Sequence, residues 1–215
     1  EIAQSEGATG RQYVNFWMHN GFININEEKM SKSLGNVFNI RDITARYEPL
    51  VLRFFLLTST HYRNPINFSD DMLEEASARI AYFYETLRKT AVLLDEDLPA
   101  YEGTVMHADL IASLPAQFKD AMDDDFNVVR VMDPVGEVFK ALNECVTTRK
   151  AKRKPNAAAS ARALLAVLKD LDRVLNLFGE DPDTYLLRHR AMAAARKGIA
   201  VEWVEGRISE RIAAR

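Results

Sequence analysis

With 215 residues and 47% hydrophobic content, the chain can bury one or two cores. Its single cysteine, Cys145, excludes an internal disulfide and a cysteine-only metal cluster. No apolar run approaches the roughly 18 residues of a membrane span, and no secretory signal opens the sequence, which fits a soluble cytosolic protein with no membrane partner.

Taken in order, Glu1 to about Thr9 reads as the end of a helix broken at Gly10. Phe16 to Ile25 is aromatic and β-branched with interruptions at Asn20-Gly21 and Asn24, which predicts one or two short strands. Arg41–Arg46 and Pro49–Ser59 follow as short helices, the second nearly all apolar and so buried, with Pro49 in a first turn. Ser69 is placed to cap a long helix running to about Leu94, with Asp70-Asp71 in its first turn. Its apolar stripe is Leu73, Ala76, Ile80, Phe83, Leu87 and Ala91.

After a loop over 95–104, three more amphipathic helices are expected near Ala108–Met122, Val131–Lys150 and Ala157–Phe178, the last closed by Gly179. Four such helices with short connections predict an antiparallel bundle. Cys145 falls at helical spacing from Leu142 and Phe139, so it reads as a small buried hydrophobe.

Charge is uneven along the chain. Residues 1–70 hold seven basic and seven acidic side chains, 71–150 hold eight and sixteen, and 151–215 hold thirteen and eight. Attraction for phosphate should therefore gather in the last third and in local clusters. The densest cluster is Arg149-Lys150-Ala151-Lys152-Arg153-Lys154. It reads either as a solvated helix end, where cations suit the C-terminal dipole, or as an RNA-backbone contact through Lys150, Lys152, Arg153 and Lys154.

The most specific feature is Lys29-Met30-Ser31-Lys32-Ser33, followed by Leu34-Gly35-Asn36. Two ammonium groups three positions apart, two hydroxyls and a glycine suit a loop that follows a phosphate as its charge grows. A chance match to this pentapeptide in a chain of this length is on the order of one in ten thousand.

KMSKS is the second signature of class I aminoacyl-tRNA synthetases. Its flanks, Glu1–Glu6, Tyr13–Phe22, Leu52–Leu57, His61–Ser69 and Ala121–Asn127, resemble the cysteinyl-tRNA synthetase family. At Val128-Val129-Arg130 the chain departs from that family, which continues Thr-Pro. The fold implied is mainly α: the end of a class I Rossmann-type catalytic domain with the KMSKS loop (1–36), a stem-contact helical segment (37–69), a DALR-type helical bundle (70–178), and a linker with the first anticodon-side helices (179–215). No HIGH-type tetrapeptide occurs, so the resemblance implies a catalytic half upstream and an internal piece that is inactive alone.

The resemblance further implies an ATP-dependent ligase that activates cysteine as its adenylate and passes it to tRNA(Cys), with ATP and magnesium as substrate, and working as a monomer. Lys32 would contact the ATP phosphates and Lys29 would assist, while Ser31 and Ser33 donate hydrogen bonds. Glu1 matches the fourth ligand of the family's substrate-selecting zinc, whose other ligands lie upstream. His19 would line the adenosine pocket, and Arg63 would touch the tRNA stem. Two other readings remain open on these residues: a noncatalytic RNA-binding or assembly module, and a related ligase that joins cysteine to an amino sugar.

Overall fold

The computed structural model describes residues 1–25, 28–29 and 39–214. The first helix, α1 (Ile2–Thr9), stops at Gly10, whose φ of 65° is the left-handed conformation that favours glycine. Three short strands form one mixed sheet in the order β2-β1-β3. Strand β1 (Ile23–Ile25) pairs antiparallel with β2 (Glu28–Lys29) and parallel with β3 (Ile66–Phe68), in the register Ile23↔Ile66, Asn24↔Asn67 and Ile25↔Phe68.

The strand expected from Phe16 onward is thus confined to its last three residues. Phe16 is 87% exposed, and with no strand beside 16–22 among the described residues that stretch stays irregular. The third strand, within 66–68, was not among the elements expected from the sequence. It forms because Ile66 N–H donates to the Phe22 carbonyl (2.8 Å), extending the ladder.

Helices α2 (Ile40–Thr44) and α3 (Pro49–Thr58) follow, and α3 buries Val51, Leu52, Phe54 and Phe55. Ser69 caps α4 (Asp70–Leu94) as expected, its Oγ accepting from Met72 N–H at 3.3 Å. The buried stripe of α4 begins at Leu73, Ala76, Ile80 and Phe83 but ends on Thr86, Thr90 and Leu93; Ala91 is exposed. The two threonines can be buried because each hydroxyl bonds back to a carbonyl one turn earlier, Thr86 to Tyr82 (2.9 Å) and Thr90 to Thr86 (2.8 Å).

Helices α5 (Ala108–Asp123), α6 (Val128–Val146) and α7 (Lys154–Leu175) complete the four-helix bundle. Helix α6 starts three residues before the predicted position because the Asn127 side chain accepts from Arg130 N–H (3.2 Å). It ends early, at Val146, where Thr147 and Thr148 hydroxyls bond back to the Asn143 and Glu144 carbonyls. The C-cap of α7 is Asn176, not Gly179: Asn176 takes φ 51°, and the buried Asp172 carboxylate accepts the Leu177 and Phe178 N–H groups. Cys145 is fully buried, and burial pushes its thiol up to about 11.

Two further helices follow, α8 (Pro182–Arg196), which packs on α4, and α9 (Val201–Ala213). At the α4–α8 contact, the rings of Tyr84 and Tyr185 stack with centroids 4.0 Å apart. Tyr84 Oη donates to the Leu177 carbonyl (3.0 Å), whereas the buried Tyr185 hydroxyl has no partner among the described residues. Removing each hydroxyl should therefore have opposite consequences. Tyr84→Phe should cost about 1 kcal/mol in urea unfolding, and Tyr185→Phe should cost nothing or stabilise slightly. Equal losses for the two variants would contradict this assignment.

Candidate functional site

Strand β1 leads toward Lys29, whose backbone pairs with Asn24 at the edge strand β2. The position of β1 is set by the loop 60–65. Gly21 N–H donates to the Tyr62 carbonyl at 2.7 Å, and a Cβ at position 21 would stand 2.1 Å from the Asn64 carbonyl oxygen. Only glycine allows this approach. Before β1, Trp17 is half-exposed, with its ring 5.8 Å from Tyr13 and stacked 6.3 Å from His19.

The predicted site residues fall in different places. Lys29 lies at β2; Ser31, Lys32 and Ser33 lie outside the described residues. Glu1 is exposed at the N-cap of α1. Among the described residues no three His, Cys, Asp or Glu side chains gather in a metal-holding group. Glu1 alone would be one ligand of the four that a tetrahedral zinc site needs. His19 is exposed, with its ring stacked against Trp17. Arg63 is committed to an ion pair, Nε to Asp125 Oδ2 at 2.8 Å.

The basic cluster lies at the start of a helix, in contrast to the helix end expected from the sequence. A 3-10 turn, Ala151–Arg153, leads into α7, so Lys152, Arg153 and Lys154 crowd its positive end. Lys154 is paired with Glu96 (2.6 Å), while Lys150, Lys152 and Arg153 are exposed.

Two family profiles match the chain: "tRNA synthetases class I (C) catalytic domain" over residues 1–78, and "DALR domain" over 117–179. The proteins named "Cysteine--tRNA ligase" from Syntrophotalea carbinolica and Methylococcus capsulatus are 42% and 44% identical to it along all 215 residues. The chain is thus similar to cysteine--tRNA ligases along its whole length. It spans 44% and 42% of the length of those two relatives. Its fold is similar to that of LeuRS from Agrobacterium radiobacter K84, solved as a ternary complex with tRNA and LeuAMS. That match has a TM-score of 0.52 at 19% identity and covers 79% of this chain and 22% of that one.

In this chain, α8 is held by arginines that the sequence alone did not single out. Arg188 pairs with the buried Glu48 (3.1 Å) and with Glu180 (2.6 Å), and Arg190 pairs with Glu85. Arg196 pairs with Glu74 (3.0 Å) and lies 4.0 Å over the Tyr47 ring. The Arg196 guanidinium holds the Glu74 carboxyl below its ordinary value; Arg88 and Arg190 do the same for Glu85 although burial opposes them. Their only sequence signal was the basic excess of the last third. A cavity of about 970 Å³ opens beside this contact, lined by Arg53, Tyr84, Leu177 and Arg188 among others; the Arg53 guanidinium donates to the Leu175 carbonyl at the end of α7.

His189, in the same contact, has Nε2 2.9 Å from Ser77 Oγ and its ring stacked on Tyr185. Burial first, and then Arg196, hold it below its ordinary 6.5, against the opposing pull of Glu48 and Glu74. The unfolded chain therefore binds its proton more readily than the folded one. This stabilisation is fully present above pH 6.5 and is lost as pH falls below it. The thermal midpoint should drop between about pH 7 and pH 5, before the carboxylates titrate, and His189→Gln should flatten that slope. An unchanged slope in the variant would remove His189 as its cause.

Proposed function

We propose that the chain is part of an ATP-dependent ligase that activates cysteine as the adenylate and transfers it to tRNA(Cys). The observation that carries this reading is identity of 42–44% to cysteine–tRNA ligases along the full 215 residues, through the KMSKS segment beyond β1. Adenylation asks little covalent chemistry of protein side chains. It needs the carboxylate aligned with the α-phosphate and the charge on the leaving pyrophosphate neutralised. Lys32 is assigned to that charge on magnesium-bound ATP. Lys29 assists it, and Ser31 and Ser33 donate hydrogen bonds. His19, with Trp17, is assigned to the adenosine side.

Glu1 is assigned as one zinc ligand, to be completed by three from elsewhere in the ligase; bound zinc would supply selection for a thiolate substrate. For RNA, cations at the positive end of α7 are disfavoured by the helix itself, and a phosphate arriving there would relieve that repulsion. This supports a backbone contact at Lys150, Lys152, Arg153 and Lys154. Arg63 lies on the bundle side of the sheet and is assigned to the tRNA stem through the donors left free by Asp125. The ligase so read works in the cytoplasm as a monomer.

Two measurements test this. In the intact ligase, Lys32→Ala should lower ATP–pyrophosphate exchange by roughly 10²–10³-fold, with cysteine binding changed far less. Exchange within about threefold of the parent would remove Lys32 from this role. For the 215-residue chain, binding to tRNA should weaken steeply with salt. Replacing Lys150, Lys152 and Arg153 with Ala should flatten the slope of log affinity against log salt by about 0.7–0.9 per lost contact. A slope indifferent to all three substitutions returns the cluster to a solvated helix start.

A further inference from the structure

Three consecutive side chains of the loop 60–65 converge on one residue of the turn between α5 and α6. His61 Nε2 stands 3.1 Å from the Asp125 carbonyl oxygen, Tyr62 Oη donates to Asp125 Oδ1 (2.8 Å), and Arg63 Nε donates to Asp125 Oδ2 (2.8 Å). Asp124, beside it, turns the other way and serves its own helix, meeting Arg130 and Asn127. Asp125 alone of this acidic run reaches across to the segment that carries the sheet.

The backbone at this point is strained. Asp125 and Phe126 take φ of 56° and 55°, two successive left-handed residues with no glycine. Each such residue is sterically disfavoured and persists only where its surroundings fix it. Main-chain bonds close the turn, Phe126 N–H to Met122 and Asn127 N–H to Ala121 among them, but these do not hold the Asp125 side chain. Among the described residues, that carboxylate is held only by the loop.

The opposite face of the same loop grips the sheet. The Tyr62 carbonyl accepts from Gly21 N–H, the Asn64 carbonyl packs on Gly21, and Ile66 N–H donates to Phe22. Tyr62 thus touches both bodies at once, through its hydroxyl to the bundle and through its carbonyl to the residue two before β1. We infer that Asp125 is a positioning residue, through which the α5–α6 turn sets the placement of β1 and hence of the strand pair that bears Lys29. The device joins the segment matched as a DALR domain to the one matched as the catalytic domain. Its value to a ligase rests on the function proposed above, since RNA held by the bundle would then bias the nucleotide loop; the coupling itself needs no ligand.

Amide hydrogen exchange on the 215-residue chain, with neither RNA nor ATP present, tests the coupling apart from the ligase reading. Asp125→Gly deletes the carboxylate while suiting the positive φ, so the fold is retained; Tyr62→Phe removes the hydroxyl alone. Both should speed exchange at Gly21 and Ile66 by about fivefold or more, the lower end for coupled sites, while Leu168 in α7 is unchanged. Asp125→Asn keeps an acceptor for Tyr62 Oη and should restore most of the protection. Coupling is reciprocal, so Gly21→Ala, which forces Asn64 away, should speed exchange at Phe126 and Asn127. Unchanged exchange at Gly21 and Ile66 in the first two variants, or an equal rise at Leu168, overturns the inference. So does failure of Asp125→Asn to restore protection.

Discussion

Phe83 is the residue on which the elements of this chain meet. From α4 its ring stacks on Phe139 of α6 at 4.2 Å and meets Phe54 of α3 and Phe178 after α7 edge-on, at 6.0 and 5.6 Å. Phe55, next to Phe54, meets Phe68 of β3 edge-on at 5.8 Å. An unbroken apolar path therefore runs from the sheet through α3 to the centre of the bundle. Packed aromatic contacts tolerate small numbers of discrete arrangements rather than gradual deformation. The spacing between sheet and bundle is set by this packing, and the Asp125 contact adds direction to it, because a carboxylate shared by a phenol and a guanidinium fixes orientation as well as distance.

The attachment of α8 has a different character. Only Tyr185 and Leu186 of that helix are buried; much of the rest of its hold comes from arginine–carboxylate pairs, several of them half-exposed, beside the His189–Ser77 contact and Arg196 over the Tyr47 ring. Exposed pairs contribute little each and weaken in salt, while Glu48, buried against Arg188, would be costly to leave alone. The helix is thus anchored at one pair with a buried carboxylate and at one aromatic stack, with screened charge around them.

Much of this was legible in the sequence, for reasons that can be stated residue by residue. The long helices were readable because their apolar stripes repeat over many turns, and Ser69 with Asp70-Asp71 marked a start that local chemistry alone decides. What was misplaced depended on single polar side chains acting at a distance in sequence. Asp172 reaches forward to cap α7 at Asn176, so Gly179 was an available but unused stop. Thr86 and Thr90 look polar in a helical pattern, yet bonding to their own helix makes them core residues. Strand β3 is three residues long and shows itself only when Gly21 lets the 60–65 loop approach. In the candidate site, the pentapeptide motif carried its meaning in residue order, whereas the Asp125 contact is three-dimensional: nothing in Asp123-Asp124-Asp125 distinguishes the carboxylate that crosses to Arg63.

The distribution of charge also changes meaning in three dimensions. Along the sequence the middle third is acidic and the last third basic, as though two opposed surfaces were present. In the fold, the basic third neutralises much of the acidic one: Arg190 and Arg196 meet Glu85 and Glu74 of α4, and Lys154 meets Glu96. The triple aspartate is likewise divided among Lys119, Arg130 and Arg63. Pairs this close cancel within a few ångströms and contribute little field beyond a Debye length. The cations that still act at range are those with no carboxylate beside them, and Lys150, Lys152 and Arg153 stand together, exposed, at a helix end that already carries partial positive charge. A patch kept positive against the preference of its own helix is held there at some cost in stability. Under the function proposed above, an approaching phosphate backbone is the physical counterpart that would turn that cost into attraction.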